Sequence, residues 1–177
     1  MIFKLTGESL KSKKDVRKTH LLDRSLIDKD SDIINCLGTI DEANSFIGLA
    51  RVFAKNSEVK TTLEKMQHKM FKAGLELVSD NRMGEDDYEE IISIISEFEK
   101  SVKRPSGFIL LEKNESGAFL SVARAVVRRA EREAISLQKK GKTSIWLVEW
   151  LNKLSYLLYL MVLKEIEDYE KIEFVKK

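Results

Sequence analysis

An all-α fold, a five-helix antiparallel bundle in a single domain over residues 1–177, is what this sequence predicts. Three observations predict it. The chain has one proline and eight glycines in 177 residues, against average usage of about 5% and about 7%, and β-sandwiches or doubly wound α/β folds need many more turn residues. Apolar residues recur at alternating steps of three and four along most of the chain, which gathers them on one face of a helix. Short polar connections fall between those stretches, as between antiparallel neighbours.

Residues 1–30 are basic, then mixed in charge, and lack periodicity; they read as a less regular N-terminal arm, flexible or ordered on binding. Residues 35–54 carry Ala43, Phe46, Ile47, Ala50, Phe53 and Ala54 on a helical stripe. Residues 60–79 repeat Leu63, Met66, Met70, Ala73 and Leu77, and a second stripe of Phe71, Gly74, Leu75 and Val78 implies burial on more than one side. Residues 86–102 give Tyr88, Ile91, Ile95, Phe98 and Val102. Proline and glycine then punctuate Pro105-Ser106-Gly107, and Phe108-Ile109-Leu110-Leu111 reads as a short extended segment or loop anchor. The fourth helix runs from about Ser116 to Lys140, with cations in its last turn and Gly141 beyond. The last, about Thr143 to Tyr169, is apolar nearly all round and should be central. Glu149, Asn152, Lys153 and Ser155 interrupt it, which argues against a membrane span and for a buried helix.

Composition excludes several functions. A formal charge of +2 gives no polyelectrolyte character for nucleic acid. Cys36 has no partner for a bridge, no signal peptide is visible, and the expected location is cytoplasmic. His20, His68 and Cys36 are too few for a usual zinc site, and Glu64 and His68 are one residue too far apart for the Glu-x-x-His of a di-iron bundle, with no second pair. Neither a P-loop nor a dinucleotide-binding glycine fingerprint occurs.

Three clusters could carry chemistry. Arg124, Arg128 and Arg132 recur every fourth residue and line one helix face with Glu131 beside them; guanidinium groups so arranged suit a polyphosphate or carboxylate, or form an exposed ion-paired face. The small apolar residues among them would let a ligand approach closely. Asn152 and its polar neighbours either pair inside the bundle or line a cavity, since a buried polar group without a partner costs about 1–3 kcal/mol. Asp41 and Glu42 are read at a helix start, where they cap it, or else an inward Asp41 holds an arginine.

Four blocks, in order and in register, resemble the trimeric, helical-bundle class of ATP:corrinoid adenosyltransferases. Gly38-Thr39-Ile40-Asp41-Glu42-Ala43-Asn44 with Ile47-Gly48 is similar to the family's "GT[VI]DE-[LA]-N…IG". Leu63 through Phe71, with Gly74 and Glu76-Leu77, resembles "L..IQ..LF..G.EL". Ala123-Arg124 through Arg128-Arg129-Ala130-Glu131-Arg132 resembles "AR..CRRAER", and Leu151-Asn152-Lys153-Leu154-Ser155 resembles "LNRLS". The resemblance implies a homotrimer with active sites between subunits. It implies transfer of the 5′-deoxyadenosyl group of ATP to the cobalt of a reduced corrinoid such as cob(I)alamin, with Mg²⁺ and release of triphosphate, the electron coming from a flavin-type reductase. By the same resemblance Arg128, Glu131 and Asn152 serve the nucleotide, Arg124 pairs with Asp41 across the subunit interface, Lys29 lies on the phosphate side, and Phe108 crowds the lower face of the corrin. No membrane or nucleic-acid partner is implied.

The chain also departs from that pattern. The family's N-terminal loop, approximately "TGDxGxTSLL", aligns without gaps on Lys14 to Leu22, keeping Asp15, Thr19 and two leucines but none of the glycines; Thr6-Gly7 matches if a gap is allowed. Lys13, Lys14, Arg17 and Lys18 either replace backbone amides with side-chain charge or mark a lost ATP site. "PGG" after Phe108 has become Leu111-Glu112-Lys113, the arginine and aspartate of "LNRLSD" are Lys153 and Tyr156, and the family's fourth-helix histidine is Ser121. Two other readings stay open: a divergent member that binds corrinoid or nucleotide without transfer, told apart by whether MgATP protects the N-terminal loop, and a helical interaction module, which steep salt-dependent nucleic-acid binding would favour.

Overall fold

Side-chain caps set where the helices begin. In the structure, a computed structural model that describes residues 15–166, α1 spans Asp32–Phe53, α2 Ser57–Glu76, α3 Glu85–Ser101, α4 Glu115–Lys139 and α5 Ile145–Glu165. Ser31, Asn56, Asn114 and Ser144 precede α1, α2, α4 and α5, and each side chain accepts a first-turn backbone N–H, satisfying one of the donors a helix start leaves unpaired. The periodic segments therefore become helices where they are expected. Thr6, Gly7, Lys13 and Lys14, and the end of the last predicted helix at Tyr169, lie outside the described residues.

The helix that reads as apolar all round is central. α5 packs against α2, α3 and α4, while α1 lies against α2 and α4. Leu147, Leu151, Leu154, Leu158 and Met161 are fully buried, and Trp150 is nearly so. Among the described residues no helix is long and apolar enough to cross a membrane. Close approach between α1 and α2 has a sequence cause at Gly48, where a Cβ would sit 2.7 Å from Gln67 Nε2; that amide donates to the carbonyl of Asn44 at 3.4 Å.

Two readings change. Asp41 and Glu42 do not cap a helix, because α1 begins at Asp32 behind the Ser31 cap. They stand more than two turns inside it, beyond the reach of the macrodipole's end charges. The N-terminal arm, expected to lack regular structure, contains a hairpin in its described part: β1, Lys18–His20, pairs antiparallel with β2, Leu26–Asp28, in the register Thr19 opposite Ile27. Asp23 accepts the Ser25 N–H and hydroxyl at 2.9 and 2.6 Å, and Arg24 takes a φ of 67° to close the turn. Strands of three residues are too short for alternation to be read in the sequence.

Buried carboxylates bind the turns to the bundle. Glu76, 1% exposed, accepts the Met83 N–H at 2.6 Å, the Thr143 hydroxyl at 2.6 Å and the Ser144 N–H at 2.7 Å, so it ties the turn before α3 to the turn before α5. Glu165 accepts the N–H groups of Lys55 and Asn56 at 3.1 and 3.0 Å, between α1 and α2. Asp87 is contacted by Lys69 at 2.7 Å, Lys72 at 2.6 Å and the Gly84 N–H at 3.0 Å. Burial alone would raise its carboxyl, but the two ammonium groups and that N–H outweigh burial and hold it at about 2.

Glu76→Ala should lower stability by about 3 kcal/mol, because it strands two backbone donors and a hydroxyl in the interior; a urea melt displaced by less than about 1 kcal/mol would show that water or relaxation replaces the carboxylate. Asp87 binds its proton more readily unfolded, near 3.8, than folded, near 2. Its contribution is thus complete above about pH 4 and disappears as pH falls toward about 2, a loss of about 2 kcal/mol. Asp87→Asn should flatten that limb of the stability profile, and an unchanged acid limb would contradict the assignment.

Candidate active site

Polar residues that recur along two packed helices converge where the helices meet. Arg124 and Arg128 of α4 and Asn152, Lys153, Ser155, Tyr156 and Tyr159 of α5 line a cleft of about 360 Å³. The arginines are one turn apart, and Tyr156 and Tyr159 follow Asn152 by one and two turns, so each set faces one way. The inner stripe of α4, Ala123, Val127, Ala130 and Ala134, is fully buried; these small side chains seat the helix and leave the longer arginines at its edge.

Hydrogen bonds hold the floor of the cleft. Asn152 Nδ2 donates to Glu131 Oε1 at 2.8 Å, and the Ser155 hydroxyl donates to the Asn152 carbonyl at 2.8 Å. Arg132 donates to the carbonyl of Arg128 at 3.0 Å, whereas Arg129 pairs with Glu42 of α1. Arg124 Nε is buried and has no hydrogen-bond partner among the described residues. At the far side, the Tyr156 hydroxyl donates to Glu99 Oε1 at 2.6 Å and accepts from Arg104 at 3.2 Å. Burial and the adjacent Glu99 carboxylate both raise the Tyr156 hydroxyl, which keeps it a donor. Tyr156 and Tyr159 lie 6.4 Å apart at 26° between ring planes.

Of the residues singled out in the sequence, Arg124, Arg128 and Asn152 share this cleft and Glu131 is bonded to it. The others stand elsewhere. Asp41 lies in the groove between α1 and α2, beside Asn44, Met70 and Phe71. Phe108 is on the connection between α3 and α4 and is 71% exposed. Thr19 is in the hairpin opposite Ile27, and the Lys29 N–H donates to the carbonyl of Arg17 at 2.8 Å. Asp15 accepts two guanidinium hydrogen bonds from Arg17, each at 2.9 Å, which hold its carboxyl below the usual carboxylate range. Tyr156 and Tyr159 are the lining residues that motif reading passed over. Their one signal is their spacing from Asn152 on an otherwise apolar helix.

No cluster of three or more His, Cys, Asp or Glu side chains able to hold a metal ion occurs among the described residues. Mg²⁺ prefers water and phosphate oxygens with one or two carboxylates, so such an ion fits here as a passenger of a bound polyphosphate and not in a cage of protein ligands.

Comparison with known proteins gives the chain's family and fold. The sequence pattern of the cobalamin adenosyltransferase family matches residues 10–165. A corrinoid adenosyltransferase of Citrobacter freundii is 30% identical over 151 residues, covering 81% of this chain and 86% of that protein. One from Bacillus subtilis is 31% identical over 137 residues, covering 72% and 71%. A variant PduO-type ATP:corrinoid adenosyltransferase from Lactobacillus reuteri, complexed with cobalamin and ATP, has the same fold, with a TM-score of 0.75 at 20% identity over 98% of this chain and all of that one.

Proposed function

The chain belongs to the cobalamin adenosyltransferase family, and from that premise we propose that it transfers the 5′-deoxyadenosyl group of ATP to the cobalt of a reduced corrinoid and releases triphosphate. In that reaction the Co(I) electron pair attacks C5′, a cobalt–carbon bond forms as the C5′–oxygen bond breaks, and the triphosphate leaves with the bonding pair. Because the substrate brings its own nucleophile, the protein has to align the partners and stabilise charge on the leaving group. The observation that carries the reading is the convergence of Arg124, Arg128 and Asn152 on one cleft. Two guanidinium groups supply fixed positive charge and forked donors suited to phosphate oxygens. Glu131, bonded to the Asn152 amide, fixes that amide's orientation toward the nucleotide. Mg²⁺ would add charge neutralisation on the triphosphate.

The site is completed, on this reading, by a second subunit of a homotrimer. Arg124 Nε is buried without a hydrogen-bond partner among the described residues, and Asp41 of a neighbouring subunit would meet it. Leu49, Val52 and Phe53 of α1 and Val122 of α4 form an exposed apolar face that a second copy would cover. Lys29, Asp15 and Thr19 would approach the phosphates from the arm, and Phe108 would crowd the lower face of the corrin, favouring four-coordinate Co(II) and easing its reduction by a flavin-type reductase. The need for ATP and a strong reductant argues for the cytoplasm.

The direct test is adenosylation of chemically reduced cob(I)alamin with MgATP, followed by absorbance and by triphosphate release. Absence of turnover from a folded protein would contradict the reaction. Arg128→Ala should lower kcat by about 10²- to 10³-fold, the usual loss when a preorganised charge stabiliser is removed, with an unchanged thermal midpoint because Arg128 is exposed. Val52 is 67% exposed in the isolated chain. Val52→Asp should therefore spare helicity and move the mass measured by light scattering from trimer to monomer; a wild-type monomer at micromolar concentration would refute the assembly.

A further inference from the structure

Residues 102–114 connect α3 to α4 and carry Phe108. We propose that two side-chain latches hold that connection in its working position: Tyr156 with Glu99 and Arg104 at one end, and Glu112 with Ser121 at the other. The inference rests on the adenosylation reading above and makes Tyr156 and Ser121 positioning residues for it.

Phe108 and Leu110 are 71% and 45% exposed, so burial of these side chains contributes little to where the backbone runs. Val102, Ile109 and Leu111 pack against the core and anchor the connection there; hydrogen bonds and one close backbone contact hold the rest. At the first latch the Tyr156 hydroxyl donates to Glu99 Oε1 at 2.6 Å, accepts from Arg104 at 3.2 Å, and Arg104 lies 3.4 Å from the same carboxylate oxygen. That ring of contacts joins α3, the connection and α5. At the second, the Ser121 hydroxyl donates to Glu112 Oε1 at 2.6 Å, and the Leu111 N–H donates to Glu112 Oε2 at 3.2 Å. One carboxylate thus bridges the connection's backbone to α4. Gly117 lets the two run close: a Cβ there would stand 2.8 Å from the Leu111 carbonyl oxygen.

Three of the residues involved fall where the chain departs from the motifs it resembles. Tyr156 stands in place of an aspartate, Glu112 of a glycine and Ser121 of a histidine, and all three bear on this one connection. A glycine-bearing segment would have more backbone freedom; here side-chain hydrogen bonds restrain it instead. Tyr156 also lines the cleft with Arg128 and Asn152, and Arg104 is four residues from Phe108. The first latch therefore joins the wall of the nucleotide cleft to the segment bearing the aromatic ring, with at most about 14 Å of extended chain between.

Hydrogen exchange on the full-length protein reads the latches without substrate. Tyr156→Phe keeps the ring and its contact with Tyr159 but removes the hydroxyl; Ser121→Ala removes the second donor. Each should raise amide exchange across residues 102–114 by about tenfold, as loss of a hydrogen bond to a charged group would, with helical amides unchanged. In turnover from cob(II)alamin with reductant, Ser121→Ala and Arg104→Ala should lower kcat and leave KM for ATP alone. Combining either with Phe108→Ala should lower kcat no further than Phe108→Ala does, since both act through the ring. Exchange within twofold of wild type in both latch variants, or losses that multiply with Phe108→Ala, would overturn the proposal. A wild-type protein that exchanges as expected but never adenosylates would overturn the reaction, while the exchange response would still decide whether the latches hold.

Discussion

The structure depends on a helix that has to be covered on nearly every side. Thirteen residues of α5 are buried, and each large apolar side chain among them gains roughly 1.5–3 kcal/mol by leaving water. No single partner helix can cover such a surface, so α4, α3 and α2 are drawn around it. Where polar side chains interrupt α5, covering fails and a cleft remains, walled by Asn152, Tyr156 and Tyr159. The candidate site is thus a consequence of the same apolar pattern that builds the bundle: an interruption in it, at a spacing that keeps the interruption on one face.

A cleft between two helices holds its geometry only if the helices cannot slide. Glu76 and Glu165, at the ends of α2 and α5, accept two backbone N–H groups each from interhelical turns, and a buried carboxylate so bonded resists displacement because any shift strands both donors and charge. Small residues along the inner stripe of α4 do the complementary work, letting that helix sit close while its arginines remain at the edge. Arg129 is committed to Glu42 across the α1–α4 contact, which separates a structural arginine from Arg124 and Arg128 in the cleft within one short run of sequence.

An enzyme of this type needs little covalent chemistry from its own side chains, since the corrinoid cobalt attacks and triphosphate departs. What the protein must supply is charge, alignment and exclusion of alternatives, and those can be met by different residues in the same places. That freedom is the physical reason a chain of this family can differ from the motifs it resembles at Tyr156 and Ser121 while Arg124 and Arg128 of α4 and Asn152 of α5 share one cleft. Three of the changed positions, Tyr156, Glu112 and Ser121, meet the connection that carries Phe108.

Local periodicity determined the helices, because a spacing of three and four residues is a property of neighbouring side chains and needs no knowledge of the partner. The same spacing made Arg124 and Arg128 share a face, and motif likeness to known sequences singled out Asn152 and Glu131. What lies far apart in the chain was decided by tertiary structure alone. Glu76 looks like any helical glutamate until packing brings Thr143 and Ser144 to it, and nothing near Tyr156 in sequence announces Glu99 or Arg104. Asp41 and Glu42 illustrate the converse: their sequence context suggests a helix start, yet Ser31 provides the cap and leaves them in mid-helix. The hairpin of Lys18–His20 and Leu26–Asp28 was hidden because three-residue strands have no period to read. Local order is written in the spacing of residues; the partners of buried charge are chosen only when distant turns are folded together.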